Sequence, residues 1–164
     1  MNLLAEQENS IFLGQAVAYP GTAMTGTLAN VPDSKKLEMP VIEEAQLGIS
    51  IGLALQGFLP VSIYPRWNFL LLATNQIVNH LDKIPLYSDY RPKVIIRTSV
   101  GSERPMWPGQ QHIGDFSTAF KLMCDTVCIA RLLEPEHIVS AYQAALDREE
   151  STILVEYGDF HNEK

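Results

Sequence analysis

Residues 43–64, EEAQLGISIGLALQGFLPVSIY, decide how the rest of the chain is read. Their apolar stretch, residues 47–63, is the longest in the sequence, yet Gly48, Gly52, Gln56, Gly57 and Pro60 interrupt it. It is shorter than the ~20 residues a helix needs to cross a bilayer. Helix formers and small residues fill 43–56, and Gly57 stands where a helix would stop. Residues 60–64 then read as a strand buried on both faces. A buried helix running into a buried strand is therefore expected here.

The same alternation continues on either side. Residues 10–14, closed by Gly14, read as a first strand, and residues 19–33, rich in Gly, Thr, Ala and Pro, as a long loop. Residues 38–41 are extended, because the residue before a proline avoids the helical region. Apolar side chains recur at helical spacing over 69–81, with Phe69, Ala73, Ile77 and Leu81 on one face. Strands are expected at 93–98, 127–130 and 152–156, helices at 117–123 and 135–147, and a second long loop over 99–114. The tail from 161 is expected to fray. Short strands without apolar–polar alternation, separated by helices, point to an α/β fold. Its sheet is mostly parallel, with helices on both faces, in one domain over 1–164. In such sheets ligands lie beyond the carboxyl ends of the strands.

Composition narrows the function. The 164 residues are 46% hydrophobic and 19% charged, which suits a packed domain and excludes a disordered chain or a coiled coil. The net charge of −7 argues against nucleic acid or an anionic membrane as the main partner. Cys124 and Cys128, four residues apart, lack the second pair a zinc site needs. They read as reduced thiols. With no basic, apolar leader at residues 1–6, the expected location is cytoplasmic. The dinucleotide, P-loop and nucleophile-elbow motifs are all absent, and the four histidines are too scattered for a metal site.

Two features stand out. Glu43 opens the central helix and shares a face with Leu47 and Ile51, four and eight residues on. A first-turn glutamate is ordinarily an exposed group favoured by the helix dipole, and Glu44 fits that description better than Glu43. His112 lies in the second long loop, within Gly109-Gln110-Gln111-His112-Ile113-Gly114. A loop histidine there is either a proton carrier or an ordinary surface side chain.

Residues 40–60, the run Tyr64-Pro65-Arg66-Trp67-Asn68-Phe69 and Gln111-His112 together resemble the pyrimidine-binding domain of thiamine-diphosphate enzymes. The match is to the transketolase-like group, and most closely to the β subunit of the E1 component of 2-oxo acid dehydrogenases. It covers about residues 11–156. The order and spacing of the motifs carry it, more than any one motif. The resemblance implies that Glu43 is the activating glutamate, Phe69 the aromatic residue against the aminopyrimidine, and His112 an active-site histidine. Gln15 falls where these β subunits carry a glutamate near the cofactor. Arg66, Arg104 and Gln111, beside the presumed site, are candidates for binding substrate.

The implied chemistry explains these residue types. Thiamine diphosphate supplies a C2 carbanion and an electron sink. A carboxyl group in an apolar setting can share a proton with the pyrimidine N1′. The family binds the diphosphate and Mg²⁺ through a Gly-Asp-Gly…Asn motif. Here Gly114-Asp115-Phe116 and Gly158-Asp159-Phe160 each lack the third glycine and a following Asn. The expectation is thus a split enzyme. This chain holds the pyrimidine half of thiamine diphosphate and no metal, and a separate diphosphate-binding subunit brings Mg²⁺. The active site forms at their interface, twice in a symmetric assembly. Decarboxylation or oxidative decarboxylation of a 2-oxo acid is the leading activity. Two alternatives stand beside it, a transketolase-like two-carbon transfer on sugar phosphates and a non-catalytic interaction or regulatory subunit.

Overall fold

A computed structural model describes residues 1–101 and 107–160. It contains, in chain order, α1 (Asn2–Ala5), β1 (Ser10–Gly14), β2 (Lys36–Glu38), α2 (Glu43–Leu55), β3 (Leu59–Tyr64), α3 (Trp67–Leu70), α4 (Ile84–Tyr87), β4 (Ile95–Val100), α5 (Ser117–Met123), β5 (Cys128–Leu132), α6 (Ile138–Asp147) and β6 (Thr152–Tyr157). The strands form one sheet in the order β2-β1-β3-β4-β6-β5, and every pairing is parallel. The α/β class and parallel sheet expected from the sequence are found. The short helices α1 and α4 do not stand out in the sequence.

Side chains alternate between two cores, one on each face of the sheet. Ile96, Ile153 and Val155 join Leu47, Ile51, Trp67, Leu70 and Ile77 on one face. Phe12, Val61, Ile63, Ile95 and Leu154 join Leu4, Leu28, Tyr142 and Ala145 on the other. Fully buried side chains of this size contribute about 1.5–3 kcal/mol each. The sheet is therefore held from both sides, as parallel sheets are.

α2 ends as its sequence predicts. Gly57 takes φ 86°, Phe58 N–H reaches Leu53 O at 3.1 Å and Gly57 N–H reaches Ala54 O at 3.0 Å. These are the paired bonds of a glycine-terminated helix. The 69–81 segment departs from a regular helix. It winds as α over Trp67–Leu70, tightens to 3₁₀ over Leu71–Ala73 and loosens to a π turn over Gln76–Leu81. Trp67, Leu70, Ala73, Ile77 and Leu81 take the core, whereas Phe69, expected on that face, is only half-buried. The long loops expected at 19–33 and 99–114 carry short 3₁₀ turns at Thr25–Leu28 and Gln110–His112. Where the π turn ends, Asp82 is fully buried. Its Oδ1 accepts the N–H groups of Asp125, Thr126 and Val127 at 2.9, 2.7 and 3.1 Å, and Lys83 Nζ lies 2.9 Å from Oδ2. This carboxylate aligns the chain entering β5.

Candidate active site

Glu43 begins α2 at the carboxyl ends of β1 and β3. Its side chain is 7% exposed, against the usual surface fate of a first-turn glutamate, while Glu44 is exposed and accepts a bond from Asn75. Glu43 borders two recesses. One is a narrow crevice with Gln15, Pro40, Ile63, Tyr64 and Pro65, the other an open depression with Ile42, Gly48 and Leu72. Among the described residues no hydrogen bond or ion pair reaches its carboxylate. A glutamate so little exposed and without a partner, beyond the carboxyl ends of parallel strands, is a candidate for function.

Gln15 follows β1 directly and lines that crevice, half-buried. The turn after it is built around Glu38, at the end of the neighbouring β2. The Glu38 carboxylate accepts the N–H groups of Ala16, Val17 and Ala18 at 2.6, 3.0 and 2.8 Å. Ala16 sits at φ 57°, a left-handed conformation rare for a residue with a side chain, and these bonds hold it there. Sequence reading had placed Glu38 only in an extended segment. Its partners lie some twenty residues away, and nothing local marks them.

Phe69 and His112 meet at neighbouring strand ends. Their ring centroids are 5.3 Å apart with the planes inclined by 54°. His112 Nδ1 is buried and has no hydrogen-bond partner, and the same holds for Asn68 Oδ1. The loop bearing His112 lies hard against the end of β4. A Cβ at Gly101 would stand 2.0 Å from His112 O, so only glycine fits there. Phe69 and His112 thus form one pair and Gln15 and Glu43 another. Residues 65–68 join the two pairs. Arg66, in that join, donates to Pro65 O at 3.0 Å and Ser99 Oγ at 3.2 Å, and burial lowers its pKa. Gln111 is exposed, and Arg104 lies outside the described residues. Nearby, Asp115 accepts bonds from Ser117 and from the Tyr157 hydroxyl at 2.6 Å. Burial alone would raise the Asp115 pKa, but these bonds outweigh it and hold it low, while burial and Asp115 push Tyr157 up to about 12.

A cavity of about 270 Å³ lies on the other face beside Thr27, Arg97, Tyr142 and Glu156. Its floor is a buried ion pair. Arg97 Nε and Nη2 each lie 2.8 Å from a Glu156 oxygen, and the Tyr142 hydroxyl donates to Glu156 at 2.7 Å. These charges face each other, and the pair joins β4 to β6. Among the described residues, no group of three or more His, Cys, Asp or Glu side chains is placed to hold a metal ion, and no helix is long and apolar enough to cross a membrane.

Comparison with known proteins gives these positions a context. No family model matches the sequence. The pyruvate dehydrogenase E1 component subunit beta-3 of Arabidopsis thaliana is 30% identical over 134 residues, covering 80% of this chain and 32% of that protein. The 3-methyl-2-oxobutanoate dehydrogenase subunit beta of Mycobacterium tuberculosis is 35% identical over 83 residues, covering 49% of this chain and 24% of that protein. This chain thus spans a third or less of the length of these relatives. Among solved structures, a split-gene transketolase in an inactive beta4 tetramer superposes with a TM-score of 0.73 at 16% identity, covering 95% of this chain and 47% of that one. The transketolase of Campylobacter jejuni gives 0.75 at 19% identity, covering 94% and 23%. The chain therefore has the fold of the transketolase-like enzymes and is similar in sequence to the β subunits of 2-oxo acid dehydrogenase E1 components, as its motifs implied.

Proposed function

We propose that this chain provides the pyrimidine-binding half of a thiamine-diphosphate-dependent active site that acts on a 2-oxo acid. The observation that carries this reading is Glu43, 7% exposed and without a hydrogen-bond or ion-pair partner among the described residues, at the carboxyl ends of two central strands. The residues present fit the aminopyrimidine. Glu43 offers an oxygen for its N1′, the Phe69 ring offers an apolar face, and Gln15 offers an amide beside Glu43. When bound, thiamine diphosphate supplies the reactive C2 carbon and the electron sink. Glu43 is placed to hydrogen-bond the N1′ position. Phe69 fixes the ring plane. His112, through its unpartnered Nδ1, passes or accepts a proton at the substrate carbonyl, a role typically worth ~10²–10⁴-fold. Arg66 sits where it can meet a substrate carboxylate.

The diphosphate and Mg²⁺ are assigned to a diphosphate-binding domain or subunit outside these residues. The surface around Glu43 supports a neighbour there. Val41 and Leu72 are each 62% exposed, Ile42 and Ile49 are each 42% exposed, and a Cβ at Gly52 would meet no atom within 4 Å. This apolar face is where a second subunit, or a second copy in a symmetric assembly, seats and closes the crevice. Purification with bound partners, followed by assays with 2-oxo acids and with sugar phosphates, tests the reading. Turnover of a 2-oxo acid that needs added thiamine diphosphate is expected. Activity confined to sugar phosphates would instead assign a transketolase-like transfer, and absence of both would make the chain an interaction subunit.

A further inference from the structure

We infer that Gln46 is a positioning residue for Glu43, an inference that rests on the reading of Glu43 given above. α2 starts without help from its flank. Ile42 precedes it and provides no side-chain cap. What holds its first turn is Gln46, 2% exposed, one turn after Glu43 on the same face. Gln46 Nε2 lies 3.1 Å from Ser62 Oγ, 3.1 Å from Ile63 O and 3.3 Å from Leu13 O. Two amide hydrogens thus serve three acceptors on β1 and β3. The close fit extends to Gly14. A Cβ there would lie 2.3 Å from Ile63 O and 3.3 Å from Gln46 Nε2.

The bonds close a ring. Gln46 donates to Ser62 Oγ, Ser62 donates to the Tyr64 hydroxyl at 3.3 Å, and Tyr64 donates to the main-chain carbonyl of Glu43 at 3.3 Å. The circuit starts and ends in the first turn of α2, wholly within buried groups, where each bond strengthens its neighbours. Gln46 therefore sets the height and rotation of Glu43 over the strand ends. Leu47 and Ile51 bind the helix to the core without fixing either. An active-site group misplaced by about 1 Å can lose about a hundredfold in rate, which makes such an anchor matter for the chemistry.

The test uses the full chain, labelled with ¹³C at the glutamate carboxyl carbons, with the Glu43 resonance assigned by its absence in Glu43→Gln. Gln46→Met keeps the shape and removes the donors, and Tyr64→Phe opens the ring at its far side. Both should shift or broaden the Glu43 resonance. Ile51→Val, a core change in the same helix, should leave it in place. A Glu43 resonance unmoved by Gln46→Met, or moved equally by Ile51→Val, overturns the inference. If Gln46→Met does not fold, Tyr64→Phe decides alone. In the purified assembly, Gln46→Met should slow exchange of the cofactor's C2 proton by about ten- to a hundredfold. If Glu43→Gln leaves that exchange unchanged while Gln46→Met still moves the resonance, the functional reading fails and the positioning role stands.

Discussion

Glu43 is a polar side chain held among apolar ones at the strand ends. Helix dipole and first-turn preference explain a glutamate at the start of α2 but not one only 7% exposed with no partner. The proposed contact with an aminopyrimidine would account for it. Two neighbouring side chains carry their own predictions. Phe69→Ala should weaken thiamine diphosphate binding by about two- to twelvefold, the equivalent of ~0.5–1.5 kcal/mol of ring contact, as measured by calorimetry on the assembly. His112→Ala should lower turnover by about a hundredfold or more with a smaller change in cofactor affinity; steady-state kinetics at saturating cofactor separate the two. Glu43, Phe69 and His112 could be proposed from the sequence because each lies in a short run with recognisable neighbours. Gln46 and Glu38 were not. Both are ordinary polar residues whose partners sit on strands brought near only by the fold.

At the level of elements, close contacts at strand ends do most to position the site. Gly101→Ala should force the 109–114 loop off β4, because no Cβ fits 2.0 Å from His112 O. A loss of about 1–3 kcal/mol in denaturant stability, together with displaced His112 ring signals, is the expected result. Asp82 ties the π turn to β5. Burial would raise its pKa, but the bonds from Thr126, Lys83, Asp125 and Val127 outweigh this and hold it down to about 2. Its contribution is therefore complete above the ordinary aspartate value near ~3.9 and is lost as pH falls through about 2. Melting temperatures recorded from pH 6 down to pH 2 should fall in the last two units. Asp82→Ala should be less stable by about 3 kcal/mol or more, with a flatter profile over that window. Most elements were legible from apolar runs and punctuating Gly and Pro. Strand limits shifted by one or two residues, since ladder partners set them. The irregular winding after β3 was hidden, because Phe69, Ala73, Ile77 and Leu81 mimic a regular helical face while Trp67 and Leu70 win the core.

For the molecule as a whole, two cores grip one parallel sheet, and the face bearing Glu43 is left apolar and open. The Arg97–Glu156 pair lies beneath the sheet's other face, and no local pattern in the sequence pointed to it. Glu156→Gln should destabilise the fold by about 3–5 kcal/mol, because it leaves a buried guanidinium uncompensated, and chemical denaturation reads this directly. The parallel α/β architecture was legible throughout. The open face became visible only once side chains were placed around α2. This face and Glu43 are proposed to complete a thiamine-diphosphate site with a neighbouring domain or subunit. The most direct measurement is hydrogen–deuterium exchange at C2 of thiamine diphosphate, followed by NMR in the purified assembly, for the native chain and for Glu43→Gln. Fast exchange is expected in the native assembly and exchange near the free-cofactor rate in Glu43→Gln, with melting temperatures alike. Equal exchange in the two would contradict the proposal.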